Sequence, residues 1–172
     1  MKRLLIVGGT GMLAKVTRTL AYAGHQVTVL ARNPHRLRDV PCVPLALDYH
    51  DTATLRLHLA RMEPFDGAVV WTHYTAPEAP SLVASAVRIG GQFVHVLGSA
   101  TADPTCKDDN HRARFEALGV RYQEVILGFV LNTQGARWLT HSEISDGVLG
   151  AIYSDMPYTI VGVVRPWKAR PT

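Results

Sequence analysis

Short apolar runs alternate along the chain with segments in which apolar residues recur every three or four positions. Most of the runs are continuously apolar, which is the pattern of strands covered on both faces in a parallel sheet. They predict seven strands, at Leu4–Gly8, Val27–Ala31, Val43–Leu47, Ala68–Thr72, Phe93–Gly98, Arg121–Val130 and Tyr158–Val164.

The segments between the runs have the spacing of amphipathic helices. The clearest apolar stripes are Met12-Leu13-Val16-Leu20, Leu55-Leu59-Met62, Leu82-Val83-Ala86-Val87 and Ile144-Val148-Leu149-Ile152. Thr140 and Glu143 mark the start of the last helix, because they have the spacing of a capping box. Strands that alternate with helices predict βαβ crossovers. We therefore predict an α/β fold in one domain, 1–172: a doubly wound parallel sheet of six or seven strands with helices on both faces and no separate substrate domain.

Composition narrows the class of protein. The chain has 172 residues, of which 47% are hydrophobic and 19% charged, as in an ordinary folded domain. The net charge is +4, but the arginines are scattered, which argues against a nucleic-acid partner. Cys42 and Cys106 lack metal-ligand spacing, so we expect reduced thiols, no metal site and a cytoplasmic location. The first apolar run is four residues long, too short for a signal or membrane segment.

A glycine-rich turn follows the first predicted strand and opens the first helix. Gly8 can form the tight turn, Gly11 lets the backbone approach a pyrophosphate, and Ala14 is small enough for close packing of helix on strand. The amides at the helix start can then hold anionic oxygens. The alternative is a turn that only bends the chain. The predicted cofactor-binding residues here are Gly8, Gly9, Thr10, Gly11, Met12 and Leu13.

At this point the chain resembles the short-chain dehydrogenase/reductase superfamily, whose domains have the Rossmann fold. The G-G-T-G form is most similar to the atypical, NmrA-like branch. The whole chain resembles a group of small bacterial proteins described as short-chain dehydrogenases. The stretches that carry this are VGGTGML, FVHVLGSA, LGFV and RWLTHSEISDGV, and the resemblance covers nearly all of the chain.

The end of the second predicted strand indicates which dinucleotide is bound. An acidic residue there would bind the ribose 2′-hydroxyl of NAD, but this chain has Arg32. A guanidinium can bind a 2′-phosphate through two hydrogen bonds. Arg32, Asn33 and Arg36 therefore predict NADP(H) in preference to NAD(H). The alternative is that the two arginines only solvate a short helix.

The ends of the third and fourth predicted strands supply further cofactor contacts. The resemblance implies that Asp48 accepts a hydrogen bond from the adenine amino group, with Tyr49 alongside. A helix cap is the alternative for Asp48, although Asp51 is better placed for it. Thr72 and His73 stand where the family has an Asn-Ala-Gly type segment along the cofactor riboses. We expect both near the cofactor.

The family's usual proton-transfer residues are incomplete in this sequence. The resemblance places a substrate-orienting serine at Ser99, just after the fifth strand. The usual Tyr with a Lys four residues later is missing, because no Tyr lies four residues before any of the four lysines. The catalytic candidates are therefore Ser99, His73 and Tyr74. A core position is the alternative for His95, which lies inside the fifth strand.

Three further positions complete the predicted site. Gly98 ends the fifth strand, and Gly128 and Phe129 follow the sixth, where the family's backbone contacts the nicotinamide. Phe129 could pack on that ring, or it could be a core residue. Only 131–137 and the C-terminal tail remain to cover a substrate, so a small substrate or an open pocket follows. A second copy of the chain could complete that pocket as a homodimer.

Two functions from different classes remain open. The first is an NADP(H)-binding oxidoreductase acting on an unknown small substrate without the usual Tyr–Lys relay. The second is a non-catalytic NADP(H)-binding redox sensor or regulatory protein of the NmrA-like kind. A Rossmann methyltransferase fits less well, since its ribose-binding acid would stand where Arg32 is.

Overall fold

The computed structural model of the protein describes residues 1–98 and 110–171. Seven strands of this part form one parallel sheet, and two more form an antiparallel hairpin. The strands are β1 (Arg3–Val7), β2 (Gln26–Ala31), β3 (Cys42–Ala46), β4 (Phe65–Val70), β5 (Val87–Gly98), β6 (Arg121–Leu127), β7 (Phe129–Asn132), β8 (Gly135–Trp138) and β9 (Tyr158–Val161). The helices are α1 (Ala14–Tyr22), α2 (Thr52–Ala60), α3 (Ala79–Ala84), α4 (Asn110–Glu116) and α5 (His141–Ser154).

The order of strands across the sheet is β3-β2-β1-β4-β5-β6-β9, and each neighbouring pair is parallel. Between β1 and β4 the order changes direction. In open α/β sheets, ligands bind at the carboxyl ends of the strands beside such a switch point. The predicted α/β class with a doubly wound parallel sheet is therefore confirmed.

Two apolar layers cover the sheet, one on each face. Helices α1 and α5 pack on one face, where Val16 and Val148 are fully buried. Helices α2 and α3, with Phe115 of α4, cover the other face around Phe65 and Phe93. Successive side chains of a strand point to opposite faces of the sheet, and helices exclude water from both faces. This explains why the central strands are continuously apolar. Within the described ranges, no helix combines the length and the apolar character needed to cross a bilayer.

Helix α5 begins as the sequence predicts. The Thr140 hydroxyl accepts a hydrogen bond from the Glu143 amide, and the Glu143 carboxylate accepts one from the Thr140 amide. Asp51 caps α2 in the same manner by accepting from the Thr54 amide. The structural roles expected of Thr140, Glu143 and Asp51 are thus confirmed.

Several element boundaries differ from the prediction, among them the last strand, which ends at Val161 and not at Val164. Val87 belongs to β5 and not to the preceding helix, which ends at Ala84. The apolar run Arg121–Val130 is not one strand, because it breaks at Gly128. Gly128 packs closely on the backbone of Val163, where a side chain would clash, and the hairpin β7–β8 begins directly after it. The segment expected to be a loop over the substrate is therefore mostly this hairpin.

Candidate functional site

The glycine turn joins β1 to α1 at the carboxyl edge of the sheet. Gly8 has φ +79°, a backbone conformation that residues other than glycine adopt only at a cost in free energy. Gly9 is buried, and a Cβ there would lie 2.6 Å from Oγ1 of Thr17. The close packing of helix on strand thus takes place at Gly9 and Thr17. Ala14, to which the sequence assigned this packing, is the partly buried first residue of α1.

Gly11 faces open space at the start of α1. A Cβ at this position would have no protein atom within 4 Å among the described residues, so another molecule can approach the backbone closely. In the part of the chain that the structure describes, the amides of Thr10, Gly11, Met12 and Leu13 donate to no backbone carbonyl. Free amides at a helix start are donors for anionic oxygens. The turn therefore has the geometry of an anion-binding site.

The residues after β2 carry positive charge at the surface. Arg32, Asn33 and Arg36 are exposed, and Pro34 and Leu37 anchor the single 3₁₀ turn between them. This turn is the short helical segment between the second and third strands. Both guanidinium groups are accessible to a ligand that lies along the carboxyl edge.

Asp48 takes part in a chain of hydrogen bonds across two strand ends. Its Oδ1 accepts from the amide of His50 at 3.0 Å and lies 2.7 Å from Nδ1 of the same residue. These bonds hold the pKa of Asp48 below its usual value, and the charge of Arg32 acts in the same direction. Nε2 of His50 lies 2.9 Å from Oγ1 of Thr75, so the segment after β3 is linked to the segment after β4.

Tyr49 makes a second link between these two segments. The amide of His73 donates to the Tyr49 hydroxyl at 3.3 Å. His73 and Tyr74 are both exposed, with ring centroids 5.1 Å apart. The structure thus brings together Asp48, Tyr49 and His73, which the sequence assigned to one cofactor site.

Trp71 directly follows β4 and packs against the glycine turn after β1 and against the end of β5. A Cβ at Gly8 would meet its backbone oxygen at 2.8 Å, and a Cβ at Gly98 would meet its indole ring at the same distance. Both glycines therefore leave room for Trp71. The sequence analysis assigned Gly8 to a turn and Gly98 to the cofactor, and did not find this packing.

A cavity of about 480 Å³ opens beside Trp71, between the ends of β4 and β5 and the helices α3 and α4. Its walls combine aromatic and apolar side chains with imidazoles. Thr72, His73, Tyr74 and Gly98, which the sequence analysis named, lie in its lining together with His95 and His111, which it did not assign to the site. Ser99 lies outside the described residues.

A buried polar cluster adjoins this cavity. The Tyr122 hydroxyl lies 3.0 Å from Nδ1 of His95 and 3.0 Å from Nε2 of His111, and it donates to Oε1 of Glu124 at 3.1 Å. Burial, and then the charge of Glu124, raise the pKa of Tyr122 well above its usual value. His95 is 5% exposed, in line with the core alternative, although it also contributes to the cavity wall.

The sequence analysis missed this cluster because its members are far apart along the chain. A signal does exist in the strand pattern. His95 is paired in register with Glu124, and Phe93 with Tyr122, so these side chains share one face of the sheet. Polar residues on that face of two buried strands point to a buried polar cluster.

Gly128 and Phe129 lie at the bend between β6 and β7. Phe129 is fully buried, lies edge-on to Trp138, and exchanges backbone hydrogen bonds with Val163 at 2.9 and 2.8 Å. Of the two roles considered for Phe129, its burial agrees with the core role. The close packing of Gly128 on Val163 serves the same bend.

The strand order and the glycine turn define a Rossmann-type α/β fold. Solved structures with this fold match the chain, whereas no family model and no curated protein does. A short chain dehydrogenase from Burkholderia cenocepacia in complex with NADP matches with a TM-score of 0.73 and 16% identity, over 95% of this chain and 89% of that one. A short-chain type dehydrogenase/reductase from Mycobacterium marinum matches with a TM-score of 0.67 and 16% identity, over 96% and 95%.

A third solved structure also matches the fold of this chain. The bulky-bulky ketone specific alcohol dehydrogenase from Comamonas testosteroni has a TM-score of 0.66 and 16% identity, over 98% of this chain and 89% of that one. The chain therefore has the fold of short-chain dehydrogenase/reductase structures. At such identities the similarity concerns the fold and not the reaction.

Proposed function

We propose that the protein is an NADP(H)-binding oxidoreductase of the short-chain dehydrogenase/reductase type that acts on a small substrate. The observation that carries the proposal is the start of α1, where four consecutive amides have no backbone acceptor in the described residues and Gly11 faces open space. A pyrophosphate needs such donors and such room. The NADP complex of the Burkholderia cenocepacia protein, which shares the fold, supports the same choice of ligand.

The residues around the switch point fit a dinucleotide. In this proposal the amides of 10–13 hold the pyrophosphate, Asp48 and Tyr49 lie beside the adenine, and Thr72 and His73 lie along the riboses. The cavity beside Trp71 takes the nicotinamide end and a small substrate. A bound reduced nicotinamide would supply a hydride there. The aromatic walls would keep water from the reacting atoms.

We further propose a preference for NADP(H) over NAD(H), carried by Arg32 with Arg36. Both side chains are exposed after β2, and no acidic residue repels a 2′-phosphate at the end of that strand. Asp48 lies near enough to Arg32 for the charge of Arg32 to lower its pKa, so part of the positive charge is already offset. The discrimination therefore rests on the directed hydrogen bonds of the guanidinium more than on net charge.

Thermal unfolding in the presence of NADP⁺, NADPH, NAD⁺ and NADH tests the proposal. A ligand at about 100 times its Kd adds about 2.7 kcal/mol of stability, which raises Tm by roughly 5–10 °C in a protein of this size. We expect such a shift with NADPH and a smaller one with NADH at equal concentration. Absence of a shift with all four cofactors would refute cofactor binding.

Replacement of Arg32 tests the preference separately. Arg32→Asp should remove the advantage of NADPH over NADH, because it replaces a phosphate-binding cation with an acid suited to a free ribose hydroxyl. Arg38→Asp is the matched control, since Arg38 is also exposed but follows the 3₁₀ turn. Equal affinities for the two cofactors in the unmodified protein would refute the NADP assignment while leaving dinucleotide binding intact.

A second candidate function is a non-catalytic NADP(H)-dependent sensor of the NmrA-like kind. One sequence feature favours it: no Tyr stands four residues before a Lys, so the usual relay is missing. This function predicts cofactor-induced stabilisation without turnover of carbonyl, imine or enone substrates. Sustained oxidation of NADPH that disappears in a cofactor-site variant would exclude it.

A further inference from the structure

Two hydrogen bonds join the segment after β3 to the segment after β4, and we call this pair of bonds the clamp. Nε2 of His50 lies 2.9 Å from Oγ1 of Thr75, and the Tyr49 hydroxyl accepts from the amide of His73 at 3.3 Å. Strands β2 and β1 stand between β3 and β4 in the sheet, so these strand ends are three strand spacings, about 14 Å, apart. The two segments therefore meet because each leaves its strand towards the other.

The neighbours of His50 determine where its imidazole carries a proton. Asp48 accepts from both the amide and Nδ1 of His50 through the same oxygen, Oδ1. These bonds hold the pKa of Asp48 below its usual value, so the carboxylate is ionised at neutral pH and can only accept. Nδ1 of His50 is therefore protonated. Nε2 of the neutral ring then accepts from the Thr75 hydroxyl, which can donate as well as accept.

His50 thus determines which oxygen of Asp48 is available to a ligand. Oδ1 is used twice, whereas Oδ2 makes no hydrogen bond with any of the described residues. The side chain of Asp48 is 44% exposed, so another molecule can reach Oδ2. An ionised carboxylate oxygen accepts from an amino group but has no proton to donate to a carbonyl oxygen. The free oxygen can therefore distinguish these two groups on a ligand.

A local turn explains only part of this arrangement. In an Asx turn the aspartate accepts from the amide two residues further on, as Asp48 does from His50. Such a turn needs neither the bond from the imidazole to Asp48 nor the bond from that ring to Thr75, which is 25 residues away in sequence. The cap of α2 is Asp51 and not Asp48. The imidazole therefore adds a link between two distant segments to a turn that is otherwise local.

The clamp also reaches the cavity beside Trp71. Thr72, His73 and Tyr74 line this cavity. The clamp holds the amide of His73 and the hydroxyl of Thr75, so it fixes the cavity-lining stretch within itself and at its end. A ligand group at Asp48 and a ligand group in the cavity would therefore contact two linked parts of the chain.

We propose that His50 is a positioning residue that makes the dinucleotide site selective for a purine with an amino group. It holds Oδ1 of Asp48 so that Oδ2 faces the base, and with Tyr49 it fixes the segment 72–75 before the cofactor binds. The proposal rests on the NADP(H)-binding function above. Segments that are ordered in advance need not be ordered on binding, which favours affinity. A purine with a carbonyl group in place of the amino group would leave Oδ2 unpaired against a second acceptor.

Titration with NADPH and with its hypoxanthine analogue, in which a carbonyl replaces the amino group of the base, tests the selectivity. We expect the unmodified protein to bind NADPH about 10-fold or more tightly than the analogue, since a hydrogen bond to a charged group is lost. His50→Ala should weaken NADPH binding about fivefold and bring the ratio of the two Kd values below about threefold. His141→Ala is the matched control and should change neither Kd, because His141 is exposed at the start of α5, outside the clamp and the cavity lining.

Two conservative variants separate the two bonds of the imidazole. The side-chain amide nitrogen in His50→Asn stands near the place of Nδ1, so it can still donate to Asp48 but cannot reach Thr75. The longer side chain in His50→Gln places its amide near Nε2, which keeps the link to Thr75 and loses the bond to Asp48. We therefore expect His50→Asn to keep most of the selectivity between the bases and His50→Gln to lose it. A residue with only a structural role would lower Tm in both variants without separating them in this way.

Removal of the link on the other side should give a different result. Thr75→Val keeps the shape of the side chain but removes the hydroxyl that bonds to His50. It should weaken the binding of NADPH and of the hypoxanthine analogue by the same factor, about two- to fivefold, because it removes order in advance of binding and leaves Asp48 in place. A change in the ratio of the two Kd values in Thr75→Val would overturn the division of roles.

A spectroscopic measurement tests the arrangement without a ligand. Long-range ¹H–¹⁵N spectra of ¹⁵N-histidine-labelled protein report which ring nitrogen carries the proton, and His50→Ala assigns the signals. We expect the Nδ1–H form for neutral His50. The Nε2–H form would show that the ring does not donate to Asp48, and would overturn the hydrogen-bond arrangement itself.

The outcomes separate this proposal from the function on which it rests. If neither NADPH nor the analogue binds, the NADP(H)-binding function and this proposal both fail. If NADPH binds but the analogue binds within about twofold of it, the selectivity is overturned and dinucleotide binding stands. The role of His50 is likewise overturned, with dinucleotide binding intact, if His50→Ala leaves the ratio of the two Kd values unchanged.

Discussion

Replacement of Gly9 by alanine should destabilise the protein without touching the proposed ligand. The added Cβ would lie 2.6 Å from Oγ1 of Thr17, 3.0 Å from Cγ2 of Ile6 and 3.2 Å from Cγ1 of Val29. Thr17 is fully buried, and its hydroxyl donates to the carbonyls of Gly9 and Leu13 at 3.1 and 3.2 Å. The methyl group must therefore displace a side chain that has no free space around it.

The size of the effect follows from three contributions. Overpacking costs about 1–3 kcal/mol, and a buried hydroxyl that loses its partner costs about 1–3 kcal/mol more. Alanine restricts the unfolded chain, which returns about 0.4–1 kcal/mol. A net loss of about 3 kcal/mol lowers Tm by roughly 6–12 °C for a chain of this length.

Gly11→Ala is the matched variant in the same turn. A Cβ at Gly11 has no protein neighbour within 4 Å among the described residues, and Gly11 does not adopt positive φ. Its Tm should therefore not fall, and it should rise slightly because alanine restricts the unfolded chain by about 0.4–1 kcal/mol. Its affinity for NADPH should fall about 10-fold or more, because the methyl group occupies the space through which a pyrophosphate would approach.

Scanning calorimetry without ligand and titration with NADPH measure the two effects separately. If Thr17 is the group that resists Gly9→Ala, the double variant Gly9→Ala, Thr17→Ala should lose less stability than the sum of the single variants. An unchanged Tm in Gly9→Ala would refute the packing argument. Unchanged NADPH affinity in Gly11→Ala would refute the assignment of the turn to phosphate.

Two further predictions concern charge and fluorescence. Hydrogen bonds from Arg137 and then from Thr140 hold the pKa of Glu143 at about 2, below its value in the unfolded chain. The stability that Glu143 contributes is therefore present above about pH 4.5 and is lost as the pH falls towards 2. Tm measured from pH 5 to 2.5 should decline less steeply in Glu143→Gln than in the unmodified protein, and an identical slope would contradict this. Trp71 lines the cavity, so energy transfer from tryptophan to bound NADPH should fall more in Trp71→Phe than in Trp138→Phe, and an equal or smaller fall in Trp71→Phe would contradict a cofactor in this cavity.

The sequence predicts the centre of the sheet well because the strands there are covered on both faces. Leu5 and Ile6 are neighbours in β1 that point to opposite faces, and both are fully buried. A continuous apolar run records that environment directly. The caps Asp51 and Thr140 are equally local, since each bonds to an amide three residues away.

The differences arise where the decisive neighbour is distant in sequence. The run Arg121–Val130 reads as one strand, and the contact that requires glycine at position 128, where the strand breaks, is with the backbone of Val163, far along the chain. Likewise, the close packing of Gly9 on Thr17 depends on the position of Thr17 in α1, and the sequence analysis assigned such packing to Ala14 alone. Contacts between residues far apart in sequence decide these local structures, and the intrinsic propensities of neighbouring residues do not report such contacts.

The candidate site divides in the same way. Arg32 and Asp48 could be named from sequence, because ligand contacts in this fold follow the ends of strands. In the cluster around Tyr122, strand register can place His95 and Glu124 on one face of the sheet. It cannot place His111, which comes from a helix and meets the hydroxyl only after α4 packs on the sheet.

Trp71 packs against Gly8 and Gly98, so the residues tolerated at these three positions depend on one another. Its backbone and indole fill the space that side chains at Gly8 and Gly98 would need, although 63 and 27 residues separate these glycines from it, by the difference of the residue numbers. Among proteins descended from a common ancestor with this one, a larger residue at position 98 should appear only together with a smaller one at position 71. The residues that set the width of the cavity beside Trp71 are therefore expected to change together. A change of substrate size, by evolution or by design, has to begin with replacement of Trp71.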